Sequence, residues 1–122
     1  MPAMTKIDII TRLAKLNELK DALHTIGITA MTVSQVFGCG LQKGHTEIYR
    51  GKEYNINLLP GLKVEIVVCE VPVETVVTIV KQVCCTGKTG DGKIFIYPIE
   101  NAVRIRTGEE GPAAILAPKD IG

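Results

Sequence analysis

Tryptophan is absent from this 122-residue chain and phenylalanine occurs only twice, so a core built on large aromatic rings is excluded. With 46% hydrophobic residues, the interior has to come from isoleucine, valine and leucine, a bias that favours a sheet covered by helices. Excess charge of either sign is missing too: 14 basic residues face 13 acidic ones, for a net charge of +1. That balance argues against the broad positive footprint of a nucleic-acid binder. No stretch reaches the roughly 18 consecutive apolar residues of a membrane span, so direct membrane insertion is not expected. Residues 1–10 have no cationic segment followed by a long apolar run, so no signal peptide is read and a cytoplasmic chain is expected.

Familiar catalytic and metal-binding sets are also lacking. Cys39, Cys69, Cys84 and Cys85 have no zinc-ligand spacing, and the adjacent pair is too close for a CxxC redox motif. In a reducing compartment the four are expected as free thiols, with Cys84 and Cys85 read as small buried residues. His24 and His45 have no obvious partner acid or nucleophile, and no Ser/His/Asp order or carboxylate pair stands out. The chain reads as a binding protein rather than an enzyme.

What is present is a regular alternation of strand and helix patterns. Residues 6–11 form an isoleucine-rich strand. Leu13, Leu16, Leu19, Leu23 and Ile26 follow at helical spacing, with Gly27 as the stop. Residues 28–36 and 62–69 read as further strands, and residues 73–85 as a second helix opened by Pro72 and Glu74. A fourth strand is expected at 94–98, a short strand with alternating arginines at 102–106, and a mobile tail at 111–122. The order βαβ–βαβ predicts an α+β, ferredoxin-like single domain over 1–122, with an antiparallel sheet and both helices on one face. Its other face would be bare in a monomer, which suggests cover by other subunits.

Between strands two and three lies a long segment, residues 37–60, read as neither strand nor helix. Ordinary hairpins close in about two to five residues, and loops this long are normally functional or disordered. It holds four glycines, Lys43, Glu47, Arg50, Lys52 and Glu53, and the tyrosines Tyr49 and Tyr54. Tyr49 is assigned to anchor the loop and Tyr54 to remain available.

The strongest local chemical signal is Gly87-Lys-Thr-Gly-Asp-Gly-Lys93. Amides of glycine-rich turns can cradle an anion, and Lys93 could meet a phosphate. The spacing approaches a P-loop, but Ile94 stands where a magnesium-binding hydroxyl is needed, and a helix precedes where a strand should. A plain helix-to-strand turn remains open on pattern alone. Arg104 and Arg106, two apart on the expected strand, would share a face and could bind an anion through their planar forks. A solvated edge is the alternative. Lys88, Lys93 and Arg12 could join the arginines.

Three runs together resemble one family. Gln42-Lys-Gly-His-Thr-Glu-Ile-Tyr-Arg-Gly51 with Glu53-Tyr54, Thr86-Gly-Lys-Thr-Gly-Asp-Gly-Lys-Ile-Phe95, and Val103-Arg-Ile-Arg-Thr-Gly-Glu-Glu110 look like the PII nitrogen-regulatory signal proteins. The resemblance implies a ferredoxin-like homotrimer that binds ATP or ADP in clefts between subunits. Its long loop, the T-loop, would change shape with ligand and dock on targets such as an ammonium transporter or a nitrogen-metabolism enzyme or regulator. Ile10, Thr32, Gly38, Gly40, Glu65 and Val67 would surround base, ribose or loop base. Gly90, Asp91, Gly92 and Lys93 would cradle the phosphates, with Arg104 and Arg106 closing from across the interface and Arg12 supplying further positive charge. Gln42 matches the residue that helps hold Mg2+ with ATP and 2-oxoglutarate. Lys43 matches the loop-base lysine often paired with the glutamate at Glu65, and Tyr54 the tyrosine uridylylated in some bacterial members.

Departures from the family pattern carry their own expectation. Gly61 stands where a lysine usually follows Leu-Pro and meets a 2-oxoglutarate carboxylate, Leu41 replaces a common arginine, and Thr11-Arg12-Leu13 replaces Ile-Lys-Pro. Losing that lysine would cost about 1.5–3 kcal/mol of charge-assisted contact, roughly ten- to hundredfold in affinity. Nucleotide binding is therefore expected intact and 2-oxoglutarate sensing weakened. Other classes left open are a slow nucleotide-hydrolysing enzyme and a structural trimeric adaptor.

Overall fold

A computed structural model describes residues 3–40, 47–49, 52–54 and 57–116. Strand β1 (Met4–Thr11) leads through a 3-10 turn (Leu13–Lys15) into helix α1 (Leu16–Thr25), and β2 (Thr32–Gly40) follows. Two short strands, β3 (Glu47–Tyr49) and β4 (Lys52–Tyr54), pair with each other. Then come β5 (Asn57–Val68), α2 (Val73–Cys84), β6 (Lys93–Ile99) and a single helical turn, α3 (Pro112–Ile115). The main sheet has the order β2-β5-β1-β6 with every neighbour antiparallel. This is the α+β arrangement expected from the βαβ–βαβ order.

Alternation along the strands sorts the sheet into two faces. Ile7 and Ile9 of β1 and Leu62, Val64 and Ile66 of β5 point to one face and are almost fully buried. Leu19 and Leu23 of α1 and Val76 and Val80 of α2 close over them as one aliphatic core. Both helices owe their place to apolar residues spaced three and four apart, which set one stripe against the sheet. The opposite face carries Lys6, Asp8, Lys63, Glu65, Phe95 and Tyr97, and no helix of the described residues packs on it.

The expected boundaries moved at four places. Residues 28–31 do not enter the sheet, because the Ile28 amide turns back to the Leu23 carbonyl (3.0 Å) and its side chain plugs the helix end. At the other end β2 continues to Gly40, and β5 starts at Asn57 rather than at 62. The two arms pair from Thr32↔Glu65 out to Gly40↔Asn57, so each satisfies the other's backbone groups. The base of the long loop is thus a hairpin, and β3 and β4 form another within it. Residues 102–106 are not a strand: the Arg104 amide donates to the Glu109 carbonyl (2.8 Å) and the Gly108 amide to the Arg104 carbonyl (2.7 Å), closing a tight turn. Only a single bridge, Val103↔Glu110, resembles sheet pairing there. Finally, residues 112–116 of the expected mobile tail are helical or packed, with Ile115 and Leu116 half-buried.

Candidate functional site

The glycine-rich segment between α2 and β6 is held shut by its own aspartate. Asp91 accepts from the Thr86 amide (2.8 Å), the Gly87 amide (2.9 Å) and, through a short bond, the Thr86 hydroxyl. Those donors, the Thr86 hydroxyl first, hold its carboxyl down at about 2, against the ordinary 3.8. Two residues at the end of β1 fasten the loop to the body. The Thr11 hydroxyl donates to the Asp91 carbonyl (2.8 Å), while Arg12 donates to the Thr89 carbonyl (2.8 Å) and pairs with the Asp91 carboxylate (3.5 Å). Gly92, at φ +112°, lies so close that a Cβ would sit 1.7 Å from the Ile10 carbonyl oxygen.

This clamp decides what the loop can offer an anion. The Thr86 and Gly87 amides are engaged with Asp91, so the glycines and Lys93 beyond them are the free part of the loop's lining. Ile10, Asp91, Gly92 and Lys93 border a cavity of about 250 Å³ that runs under the end of α2 to Cys84 and Cys85. Cys84 is buried there and burial pushes its thiol up, whereas Cys85, expected buried, is exposed because α2 ends at Cys84 and its cap turns outward. All four cysteines are free.

A second cavity, of about 510 Å³, opens at the other edge of the sheet. Thr32, Glu65, Val67 and Arg104 line it together with the carboxyl-terminal residues Ala114 and Leu116. Four residues singled out from the sequence thus meet at one place. Arg104 and Arg106 do not act as a pair on one face, since the turn separates them. Arg104 points to the α3 segment and Arg106 is exposed. Gly38 stands at the hairpin base opposite Leu59, and Gly40 opposite Asn57. Gln42 and Lys43 lie outside the described residues, as does the side chain of Tyr54.

Between the cavities, the open face of the sheet carries a compact ionic network. Lys6 sits 3.0 Å from Glu65 and 3.5 Å from Asp8, Lys63 lies 3.6 Å from Glu65, and the Tyr97 hydroxyl donates to Asp8 (2.7 Å). The hydrogen bond to Glu65 raises the Lys6 amine, and the one to Asp8 raises the Tyr97 phenol. Among the described residues, no cluster of His, Cys, Asp or Glu is placed to hold a metal ion, and no helix is long and apolar enough to cross a membrane.

Comparison with known proteins places these features. Residues 4–109 match the family model described as nitrogen regulatory protein P-II. The chain belongs to the nitrogen regulatory P-II family. It is 54% identical over 112 residues to the nitrogen regulatory PII-like protein of Bacillus subtilis (92% of this chain, 97% of that one). Identity to the P-II protein of Rhodospirillum rubrum is 51% over 112 residues, covering 92% of this chain and all of the relative. Among solved structures, B. subtilis GlnK superposes with a TM-score of 0.79, at 54% identity, over 92% of this chain and 98% of that one. A B. subtilis GlnK–ATP complex gives 0.80 at the same identity, over 92% and 97%.

Within this P-II chain, the residues carried over from the family fall into two separate groups. Ile10, Gly90, Asp91, Gly92 and Lys93 gather with Arg12 at the β1–β6 end, and Thr32, Glu65, Val67 and Arg104 at the β2–β5 edge. The two cavities share no lining residue. Sequence reading missed Thr11, Thr86 and Thr89 as loop fasteners. A Thr-Gly step five residues before an aspartate is the signal that could have found the Thr86–Asp91 clasp. It also missed the Lys6–Asp8–Tyr97 network, for which only strand register supplies a signal.

Proposed function

We propose that this P-II protein binds ATP or ADP at sites completed between copies of the chain, as a homotrimer of one domain per copy. The observation that carries the reading is the split of the site residues into two clusters on different edges of one sheet. In a single copy they line separate cavities, whereas copies packed through the open face can join the glycine loop of one to the Arg104 cavity of the next. The fit is chemical as well as geometric: a glycine loop with Lys93 suits phosphates, and a half-apolar pocket beside Thr32 and Glu65 suits base and ribose. The GlnK–ATP complex among its relatives supports the same ligand. Mg2+ would arrive with ATP, with Gln42 as its expected protein partner.

Signalling then runs through the T-loop, residues 37–60, whose base belongs to the hairpin of β2 and β5. An ammonium transporter, or an enzyme or regulator of nitrogen metabolism in the cytoplasm, is the proposed target, and Tyr54 the proposed modification site. The protein acts by docking and not by turnover. Gly61 weakens the 2-oxoglutarate response. Calorimetric titration of the full chain with Mg-ATP and with ADP tests the reading, alongside native mass spectrometry. Saturable binding near one nucleotide per chain in a trimer is expected. A monomer that binds nucleotide fully would overturn the shared-site reading, and no heat with either nucleotide would overturn the ligand.

A further inference from the structure

Arg104 is not a free cation. Its Nε and Nη2 donate to the Ala114 carbonyl (3.4 and 3.3 Å), Nη2 also to the Leu116 carbonyl, and Nη1 lies 3.7 Å from the Glu109 carboxylate. Every nitrogen of the fork is therefore turned to an acceptor of the carboxyl-terminal segment or of the turn before it. Ala114 and Leu116 follow the start of α3, whose last carbonyls have no partner within a helix this short, so the guanidinium caps them. The same segment forms one wall of the cavity that holds Thr32, Glu65 and Val67.

We infer that residues 112–116 are a strap that competes with a polyphosphate for Arg104, so that nucleotide binding and release of the strap are coupled. This deepens the nucleotide reading and rests on it. The strap is weakly held elsewhere: α3 buries no residue fully, and Ala113 is exposed. Its grip consists of carbonyl acceptors and one distant, half-exposed carboxylate. A phosphate adds what the neutral carbonyls lack, a full opposite charge and two oxygens spaced to match the planar fork. The contest therefore favours the ligand when it is present and the strap when it is not. Coupling of this sort is reciprocal, so a strap that adheres more firmly lowers nucleotide affinity by the same factor.

Two strap amides report the state directly, because Ala114 donates to the Gly111 carbonyl (2.9 Å) and Leu116 to the Pro112 carbonyl (3.0 Å). Amide-resolved hydrogen exchange on the full chain is the test, with calorimetry on the same samples. Without nucleotide, Arg104→Gln is expected to speed exchange at both amides by about tenfold, the effect of losing a charge-assisted hydrogen bond. In the unmodified protein, saturating Mg-ATP is expected to speed them similarly, while core amides such as Ile7 and Val64 stay slow. Exchange in Arg104→Gln equal to wild type overturns the strap. ATP that binds without loosening these amides overturns the competition. ATP that does not bind overturns the nucleotide reading, and the competition with it.

Discussion

Asp91 serves its own loop before it can serve a ligand. Its carboxylate gathers Thr86, Gly87 and Arg12, and its ionised form is what those donors stabilise. The folded-state value lies below the ordinary one, so this contribution is complete above about pH 4. It is lost as pH falls through about 2. Thr86→Val removes the principal donor, and the Asp91 carboxyl is expected to move up towards 3.8, read by carbon NMR of the side chain. A titration unchanged by the substitution would refute the clasp. Gly92 is constrained twice over, by a left-handed φ and by the Ile10 carbonyl. Gly92→Ala is expected to cost roughly 2–5 kcal/mol in urea unfolding. Gly61 is the opposite case. A Cβ there would meet nothing closer than the Thr11 carbonyl oxygen at 3.4 Å, an ordinary contact. Gly61→Lys should therefore fold normally and raise 2-oxoglutarate affinity of the Mg-ATP-loaded protein roughly ten- to hundredfold. An unchanged titration would show that the missing lysine does not limit that response.

At the level of elements, α1 was legible because its apolar residues recur at a period that only a helix can bury on one side, and α2 because Pro72 and Glu74 mark its start. Leu19 and Leu23, read from that period, are fully buried, and Leu23→Ala is expected to cost about 2–5 kcal/mol, measured by urea denaturation. Strand ends were less legible. Gly38 and Gly40 read as loop residues, yet they pair across to Leu59 and Asn57, since pairing depends on the partner strand rather than on local preference. The expected arginine strand failed for the same reason in reverse. Alternating residues 102–106 look extended, but Gly108 allows a turn that closes on Glu109, and among the described residues no strand lies beside them to complete a ladder.

For the whole molecule, the open face of the sheet is the proposed contact between copies. Phe95 and Tyr97 remain 45% and 41% exposed there, beside a network that ties Asp8 to Lys6, Lys63 and Tyr97. Phe95→Asp would place a second carboxylate opposite Asp8 across the β1–β6 pair. It is expected to convert the proposed trimer, about three times the 13.2 kDa chain mass, into single chains, read by sedimentation velocity. Nucleotide binding should fall with it, because the proposed site draws residues from two copies. A trimer that survives the substitution would remove this face from the proposed interface.

Residue order alone settled the aliphatic core, the βαβ–βαβ arrangement and the family, because periodicity and short motifs are local properties that a linear reading preserves. The loop at the centre of that reading was visible as an interruption, and its glycine-rich counterpart at 86–93 as a chemical signal. Which site residues meet was decided only by the fold. Strand pairing separates the glycine loop from the Arg104 cavity, and a turn rather than a strand aims Arg104 at the carboxyl-terminal carbonyls. Contacts between residues 80 and 89 positions apart, Thr11 with Asp91 and Asp8 with Tyr97, depend on register and have no trace in neighbouring residues.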